Sequence, residues 1–428
     1  MADVVTTLDK LNGITKTKYA PKIRDRIPEQ VKFFSRLAML PNGNLGKTYQ
    51  QPMELVLPQG MTYAAPNAGA FDIEDMEAGV MEVAEVNANQ FLFADSLDYE
   101  SEAKAQKAGD SAYESAVGRV IKRAMKAFTK RVELSFMYGG SSLAEIESGA
   151  TTAGPDSDGL YTRVLTIKTA KWASGIWLGM KNAKLDVRAP SGGYPGATKR
   201  NASVLKLYRV SVKDEKLTVR GTQADCNAIT ADDLITFAGT YGKETLGLDR
   251  VITNSGTIWG LDGAAYEEQL CGNVYDIGGR ELTLRRLYDA MADSVGKGLD
   301  DVTVQVLLNP LTFGNLLANE AALLRHAQAN GDAKNGFKNL QWEGQHGKIE
   351  FVPYINVKQG EAHVGPIETM YKLGAQDITM MAPGRKDGEY WKAMEKKAGY
   401  EMRLYANLGL FCDAIGQWTK ITGLVNNQ

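Results

Sequence analysis

Between Thr48 and Ala103 the chain has no lysine or arginine but eleven acidic residues: Glu54, Asp72, Glu74, Asp75, Glu77, Glu82, Glu85, Asp95, Asp98, Glu100 and Glu102. Both flanks are basic. Residues 1–47 carry nine Lys/Arg against four Asp/Glu, and residues 104–138 carry eight against three. Charge sorted into blocks of alternating sign cannot pair among sequence neighbours, so it either stays solvated or meets an oppositely charged surface elsewhere. The acidic block is also a strand former. Val80 to Phe93 is rich in β-branched and aromatic residues and pairs, in this reading, with Tyr49 to Leu57 across a Gly/Pro/Asn-rich tip. A hairpin of that length with little apolar material of its own is marginal alone, which predicts that it lies on another surface, one that a second subunit can supply. The plain alternative is a solvated acidic loop.

No proline occurs from Ser101 to Met137, and Tyr113, Val117, Val120, Ile121, Ala124, Met125, Phe128, Val132 and Phe136 recur at steps of three and four. This spacing predicts one helix with a broad apolar stripe, roughly 55 Å long at 1.5 Å per residue, stopped by Gly139-Gly140. Arg119, Lys122, Arg123, Lys126 and Lys130 run beside the stripe as a basic flank, read as solvated or ion-paired before it is read as a nucleic-acid surface. With Asp72, Glu74, Asp75, Glu77, Glu82 and Glu85 of the hairpin, these five are the candidate inter-subunit contacts.

The Gly-Lys-Thr at 46–48 resembles the end of a phosphate-binding loop, but that loop needs glycine where Pro41 stands. It also needs a strand before it and a helix after it. Here residues 30–40 read as helical, and Pro52 and Pro58 keep the following segment extended. The stretch is read as a turn that launches a strand. The three histidines, His326, His346 and His363, have no second ligand type at metal spacing. The adjacent carboxylates Asp232-Asp233, Glu267-Glu268 and Asp300-Asp301 are read as turn residues, since neighbouring side chains diverge. No G-x-S-x-G or G-x-G-x-x-G is present. No enzyme activity, metal or cofactor is expected.

A net charge of -2 gives no overall attraction to nucleic acid or anionic membrane, and three scattered cysteines, Cys226, Cys271 and Cys412, argue for reduced buried thiols. With no basic-then-apolar leader and no apolar run of about 18 residues, the chain is read as soluble and not secreted.

Residues 141–158 read as a loop and 162–239 as an all-β module, with a hairpin at Leu205–Val219 around a Lys-Asp-Glu-Lys turn. The pattern then turns α/β. Leu284, Leu287, Met291 and Val295 mark a helix, Val302 to Leu308 a buried strand, and Asn309-Pro310 the start of a second helix to about Ala327. Strands follow at 348–357 and 377–381. Tyr400, Met402, Leu404, Ala406, Leu408 and Leu410 alternate with polar or small residues, as in a long strand with one face buried.

This order resembles the major capsid proteins of tailed bacteriophages. The residues that carry it are the basic arm, the acidic hairpin, the helix ending Ala127-Phe-Thr-Lys-Arg-Val-Glu-Leu-Ser-Phe-Met-Tyr-Gly-Gly140, the α/β stretch Val302 to Pro310 and the long C-terminal strands. The resemblance implies an α+β fold with an N-terminal arm (1–47), an extended loop (48–100) and the spine helix of a peripheral domain (101–140). It further implies an axial domain (141–336) with a β-rich insertion at about 162–239, and a return through the peripheral domain (337–428). The implied function is a head-shell subunit that assembles with itself as hexamers and pentamers around double-stranded DNA, bound on the inner face without sequence specificity. A separate scaffolding protein, a portal protein and a decoration protein are implied partners, with no membrane, and the implied location is the virion after assembly in the host cytoplasm. The rival readings are a nanocompartment shell of the same fold, which the β elaboration and long arm disfavour, and an unrecognised α+β enzyme or binding protein.

Overall fold

In a computed structural model the structure describes residues 31–40, 48–100, 116–319, 340–344, 347–379, 391–395 and 397–426. Its organising element is the strand Gly399–Cys412, on which Met402, Leu404, Ala406, Leu408 and Leu410 are buried while Tyr400 and Arg403 face out. Alternation from Met402 to Leu408 leaves one face to be covered and two edges to be paired, whereas Gly409–Cys412 is buried throughout and Tyr400, expected on the buried face, is exposed. Asn89–Asp98 takes one edge in an unbroken antiparallel register from Asp98↔Gly399 to Asn89↔Leu408, and Met370–Thr379 and Trp391–Ala393 pair along the other. The two-residue strand Ala38–Met39 adds to Met370–Thr379 in parallel.

The long helix covers this sheet, with Phe128 and Phe93 ring centroids 6.4 Å apart. It is described over Ala116–Tyr138, and the expected residues 101–115 lie outside the described residues. Ala124, Phe128 and Val132 are buried at four-residue steps, and from Glu133 onward every residue to Tyr138 is buried, so the helix ends inside the protein. Gly140 at φ +75° turns the chain out of the helix, and a Cβ on Gly139 would sit 2.0 Å from the Thr245 carbonyl.

A second sheet has the strand order Asn273–Arg280, Thr419–Leu424, Ala362–Pro366, Val304–Leu308, Gly347–Pro353 and Leu340–Gly344. Its central Val304–Leu308 is buried at all five positions, as a near-continuous apolar run requires. The helices Leu284–Gly296 and Pro310–Asn319 pack into its separate core. The Asn309 side chain accepts the Leu311 N–H at 3.0 Å and so caps the second helix, whose expected extension to Ala327 lies outside the described residues.

Six strands close a barrel in the order Leu234–Phe237, Ala144–Gly149, Tyr161–Ile167, Lys216–Gly221, Leu205–Ser211 and Lys184–Arg188. Leu165, Ile167, Leu185, Val187, Leu205, Leu207, Leu217, Val219 and Ile235 are buried in it, and closure removes the exposed edges of an antiparallel sheet.

Four local expectations change. Residues 30–40 do not form a helix over the described part: a 3₁₀ turn at Phe34–Arg36 leads to the strand Ala38–Met39, because the Phe33 and Phe34 N–H groups donate to the buried Glu133 carboxylate rather than to a helical turn. Residues 141–158 are not all loop. Ala144–Gly149 is a barrel strand whose Ser/Glu-rich sequence hides the buried Ala144 and Ile146. Val80 to Phe93 divides at Asn87-Ala88, because Val80–Val86 pairs with Tyr49–Val56 while Asn89–Asp98 joins the main sheet. The strand expected at 377–381 begins at Met370, whose pairing with Cys412 the local sequence does not signal.

Candidate assembly surface and a buried ionic junction

The hairpin pairs Tyr49–Val56 with Val80–Val86 from Tyr49↔Val86 to Val56↔Val80, and an isolated bridge at Gln59↔Glu77 carries it further. Among the described residues, its base is the part anchored to the rest of the fold. Leu55, Ala84 and Val86 are buried, the Glu85 N–H donates to the Trp259 carbonyl at 2.7 Å, and the Gln269 amide donates to the Leu55 carbonyl at 3.0 Å. Beyond the base, Leu57, Met61, Tyr63, Phe71, Ile73 and Met76 are 54–82% exposed. Asp72, Glu74, Asp75 and Glu77 are exposed among the last three of these. The tip is therefore apolar and anionic together. Glu82 accepts from the Tyr266 hydroxyl at 3.2 Å and Glu85 from the Gln50 amide at 3.0 Å, so these two serve the base rather than the tip.

The basic flank is less uniform than its spacing implies. Lys122 and Arg123 are exposed and Lys126 is half-buried. Lys130 turns inward to donate to the Leu178 carbonyl at 2.5 Å, and burial, with Lys126 and Arg131 adding repulsion, lowers its ammonium to about 8. Arg119 lies in the helix, with its side chain outside the described residues. The six acids thus sit on the hairpin and the five bases on the helix, with Lys130 serving the fold.

The sequence reading did not find a buried polar cluster that the structure brings together. Asp249 on the short helix Leu248–Ile252, Glu361 just before and His363 within the strand Ala362–Pro366, and Lys420 on Thr419–Leu424 converge where the second sheet meets the long helix. Strand register places His363 opposite Lys420. Lys420 Nζ donates to Asp249 Oδ1 and lies 3.3 Å from Glu361 Oε1. Asp249 also accepts from Ser141 Oγ at 2.5 Å and faces His363 Nε2 at 3.3 Å. Lys171 reaches Glu361 Oε1 at 2.5 Å. Lys358 donates to the Ser142 carbonyl at 2.8 Å and stands 4.4 Å over the Tyr138 ring.

Burial alone would push both carboxyls up. The attraction of Lys420, with His363 and Lys358, outweighs it at Asp249 and holds that carboxyl well below the usual range. Lys358 and Lys420 do the same at Glu361, which falls to about 2. Burial likewise opposes the charge on Lys420, but Asp249 and Glu361 prevail and raise it. Ligand atoms of Asp249, Glu361 and His363 lie within 4.8 Å of one another, a spacing that can hold a metal ion. The Lys420 ammonium already donates among them, so the cation of this site is the protein's own. The local sequence signal is Lys420 itself, a charge between Thr419 and Ile421 where the strand is buried.

The phosphate-loop stretch at 41–47 lies outside the described residues, and the segment after it is the strand Tyr49–Val56, not the helix such a loop requires. No helix among the described residues is long and apolar enough to cross a membrane.

No protein-family model matches the chain, and no curated protein matches it by sequence. Solved structures do. The cyanophage A-1(L) capsid asymmetric unit aligns at TM-score 0.56 and 11% identity, covering 98% of this chain and 99% of that one. The capsid of a native GTA particle aligns at TM-score 0.50 and 7% identity, covering 99% and 100%. The chain therefore shares, end to end, the α+β fold of these capsid chains.

Proposed function

We propose that this chain is a structural, non-catalytic shell subunit of a double-stranded DNA phage head, assembling with itself as hexamers and pentamers. The observation that carries the reading is the likeness of fold to a phage capsid chain over 98% of this sequence. The hairpin adds to it: a tip that is apolar and acidic, anchored among the described residues at its base, is suited to lie on a neighbouring copy.

In this reading residues 48–100 are the extended loop, 101–140 the spine helix, 141–336 the axial domain bearing the barrel, and 337–428 the return through the peripheral domain. The acidic tip would meet basic side chains of the next subunit, Lys122, Arg123 and Lys126 among them, and charge would set orientation and association rate more than affinity. Each contact is modest and the closed shell sums many of them. A scaffolding protein, a portal and a decoration protein would be its partners, packaged DNA would face the shell interior, and the virion would be its location.

Sedimentation velocity of the purified chain at physiological and high salt, with negative-stain microscopy of the fast fractions, tests the reading. Capsomers or closed shells that loosen as salt rises support it. A small closed dimer or tetramer at every concentration would sink it.

A further inference from the structure

The outer face of the six-stranded barrel gathers positive charge that the fold leaves unneutralised. Leu205, Leu207, Leu217 and Val219 are buried inside the barrel, so Lys206, Tyr208 and Thr218 between them face outward. Lys184 stands directly opposite Lys206, and Lys206 opposite Arg220, which sets three cations in a row across three neighbouring strands. Like charges placed opposite one another destabilise a sheet. An irregularity after Leu207 leaves both Tyr208 and Arg209 exposed, and Lys216 lies further along, opposite Ser211. Lys181 Nζ and the Arg220 guanidinium lie 5.4 and 5.9 Å from the centre of the Tyr208 ring.

Arg220 is paired with Asp156 and Asp158. Among the described residues, Lys181, Lys184, Lys206, Arg209 and Lys216 have no ion-pair partner. The acids of the turn between the two strands are engaged elsewhere, Asp214 with Ser211 and Glu215 with Thr169 and Gln359. Apolar side chains are exposed with the cations: Tyr208 at 47%, Val212 at 44% and Val164, opposite Thr218, at 36%.

The hairpin tip has the opposite character. Asp72, Glu74, Asp75 and Glu77 are interleaved with the exposed Phe71, Ile73 and Met76, and none of the four carboxylates has an ion-pair partner among the described residues. We propose that the outer barrel face, over the strands Lys184–Arg188, Leu205–Ser211 and Lys216–Gly221, receives the hairpin tip of a second copy of this chain. The inference rests on the shell reading and names where the tip lands. Within one chain both surfaces keep these charges unpaired, so the pairing is made between copies. Tyr208, Val164 and Val212 then give the tip's apolar side chains a surface on which to leave water. The long helix presents less charge, since Lys126 is half-buried and Lys130 turns inward to the Leu178 carbonyl.

The test uses the full chain under assembling conditions. Ordinary and heavy-isotope chain are mixed, treated with a carbodiimide that joins contacting carboxylates and amines without a spacer, and mapped by mass spectrometry. The expected linkages join the tip acids of one isotope to Lys184, Lys206 or Lys216 of the other. In a second arm, Lys184→Glu with Lys206→Glu and Lys216→Glu should leave the lone subunit's melting temperature near wild type and slow assembly at low salt by ~10-fold or more. Adding Asp72→Lys, Glu74→Lys and Asp75→Lys should restore the rate, because both signs are then reversed. Linkages that run to Lys122 or Lys126 instead, or that stay within one isotope, overturn the proposal. So does a reversed barrel that assembles at the wild-type rate, or a slowed one that the reversed tip does not rescue. A chain that never assembles sinks the shell reading itself, whereas normal assembly without these linkages sinks the docking site alone.

Discussion

The Glu133 carboxylate, inside the long helix, accepts the backbone N–H of Phe34 at 2.7 Å from ninety-nine residues away, and the same carboxylate takes the Phe33 N–H at 3.0 Å and the Tyr354 hydroxyl. One buried acid thus ties the N-terminal segment, the spine of the first sheet and the second sheet together. Burial pushes its pKa up, and the hydrogen bonds from Tyr354, Phe34 and Phe33 oppose that rise. Glu133→Ala would leave two buried N–H groups and a hydroxyl without their acceptor, at about 1–3 kcal/mol for a lost buried hydrogen-bond partner and more for a charged one. We expect a lowered urea midpoint with an unchanged slope. A midpoint equal to wild type would refute the tie.

The strand Gly399–Cys412 offers a test by alternation. Leu404 is fully buried, and Leu404→Ala should cost about 2–5 kcal/mol. Its neighbour Arg403 is 51% exposed at the side chain and, among the described residues, pairs with Glu401, so Arg403→Ala should stay within about 0.5 kcal/mol. Equal losses in chemical denaturation would mean that the strand is covered on both faces.

Glu244 gives a pH dependence. Burial raises its pKa to about 7, against the lowering effects of the Gly140 N–H, Ser135 and Arg131. The folded protein therefore holds this proton where the unfolded chain has released it. The stabilisation is complete below about pH 4.5 and is lost as pH rises through about 7, an effect on the order of 3 kcal/mol. Glu244→Gln should remove that component, so the difference in stability between variant and wild type should grow across this window. A flat difference would place Glu244 in solvent.

The hairpin tip separates folding from assembly. Ile73 and Met76 are 76% and 80% exposed, so Ile73→Asp with Met76→Asp should leave the melting temperature of the lone subunit unchanged while blocking capsomer formation. Replacing Asp72, Glu74, Asp75 and Glu77 by their amides should instead slow assembly at low salt and flatten its salt dependence, read by light scattering. Assembly at wild-type rate in both variants would remove the tip from the interface.

Much of this molecule is legible locally. The period-two burial of Met402 to Leu410, the four-residue burial steps of Ala124, Phe128 and Val132, the capped helix after Asn309 and the hairpin around residues 212–215 follow from backbone periodicity and turn chemistry, which act over a few residues and are written in order along the chain. The break at Asn87-Ala88, the strand Ala144–Gly149 and the turn at Phe34–Arg36 were decided elsewhere, because the partner that wins each backbone N–H lies far along the chain. The same holds most strongly for the ionic junction. Asp249, Glu361, His363 and Lys420 form no motif along the chain. The sequence by itself determined which segments have an apolar face to hide and where the acidic and basic blocks fall. The tertiary structure alone decided which charges are shut away together, because burial and Coulomb attraction depend on distance in space and not on separation along the chain.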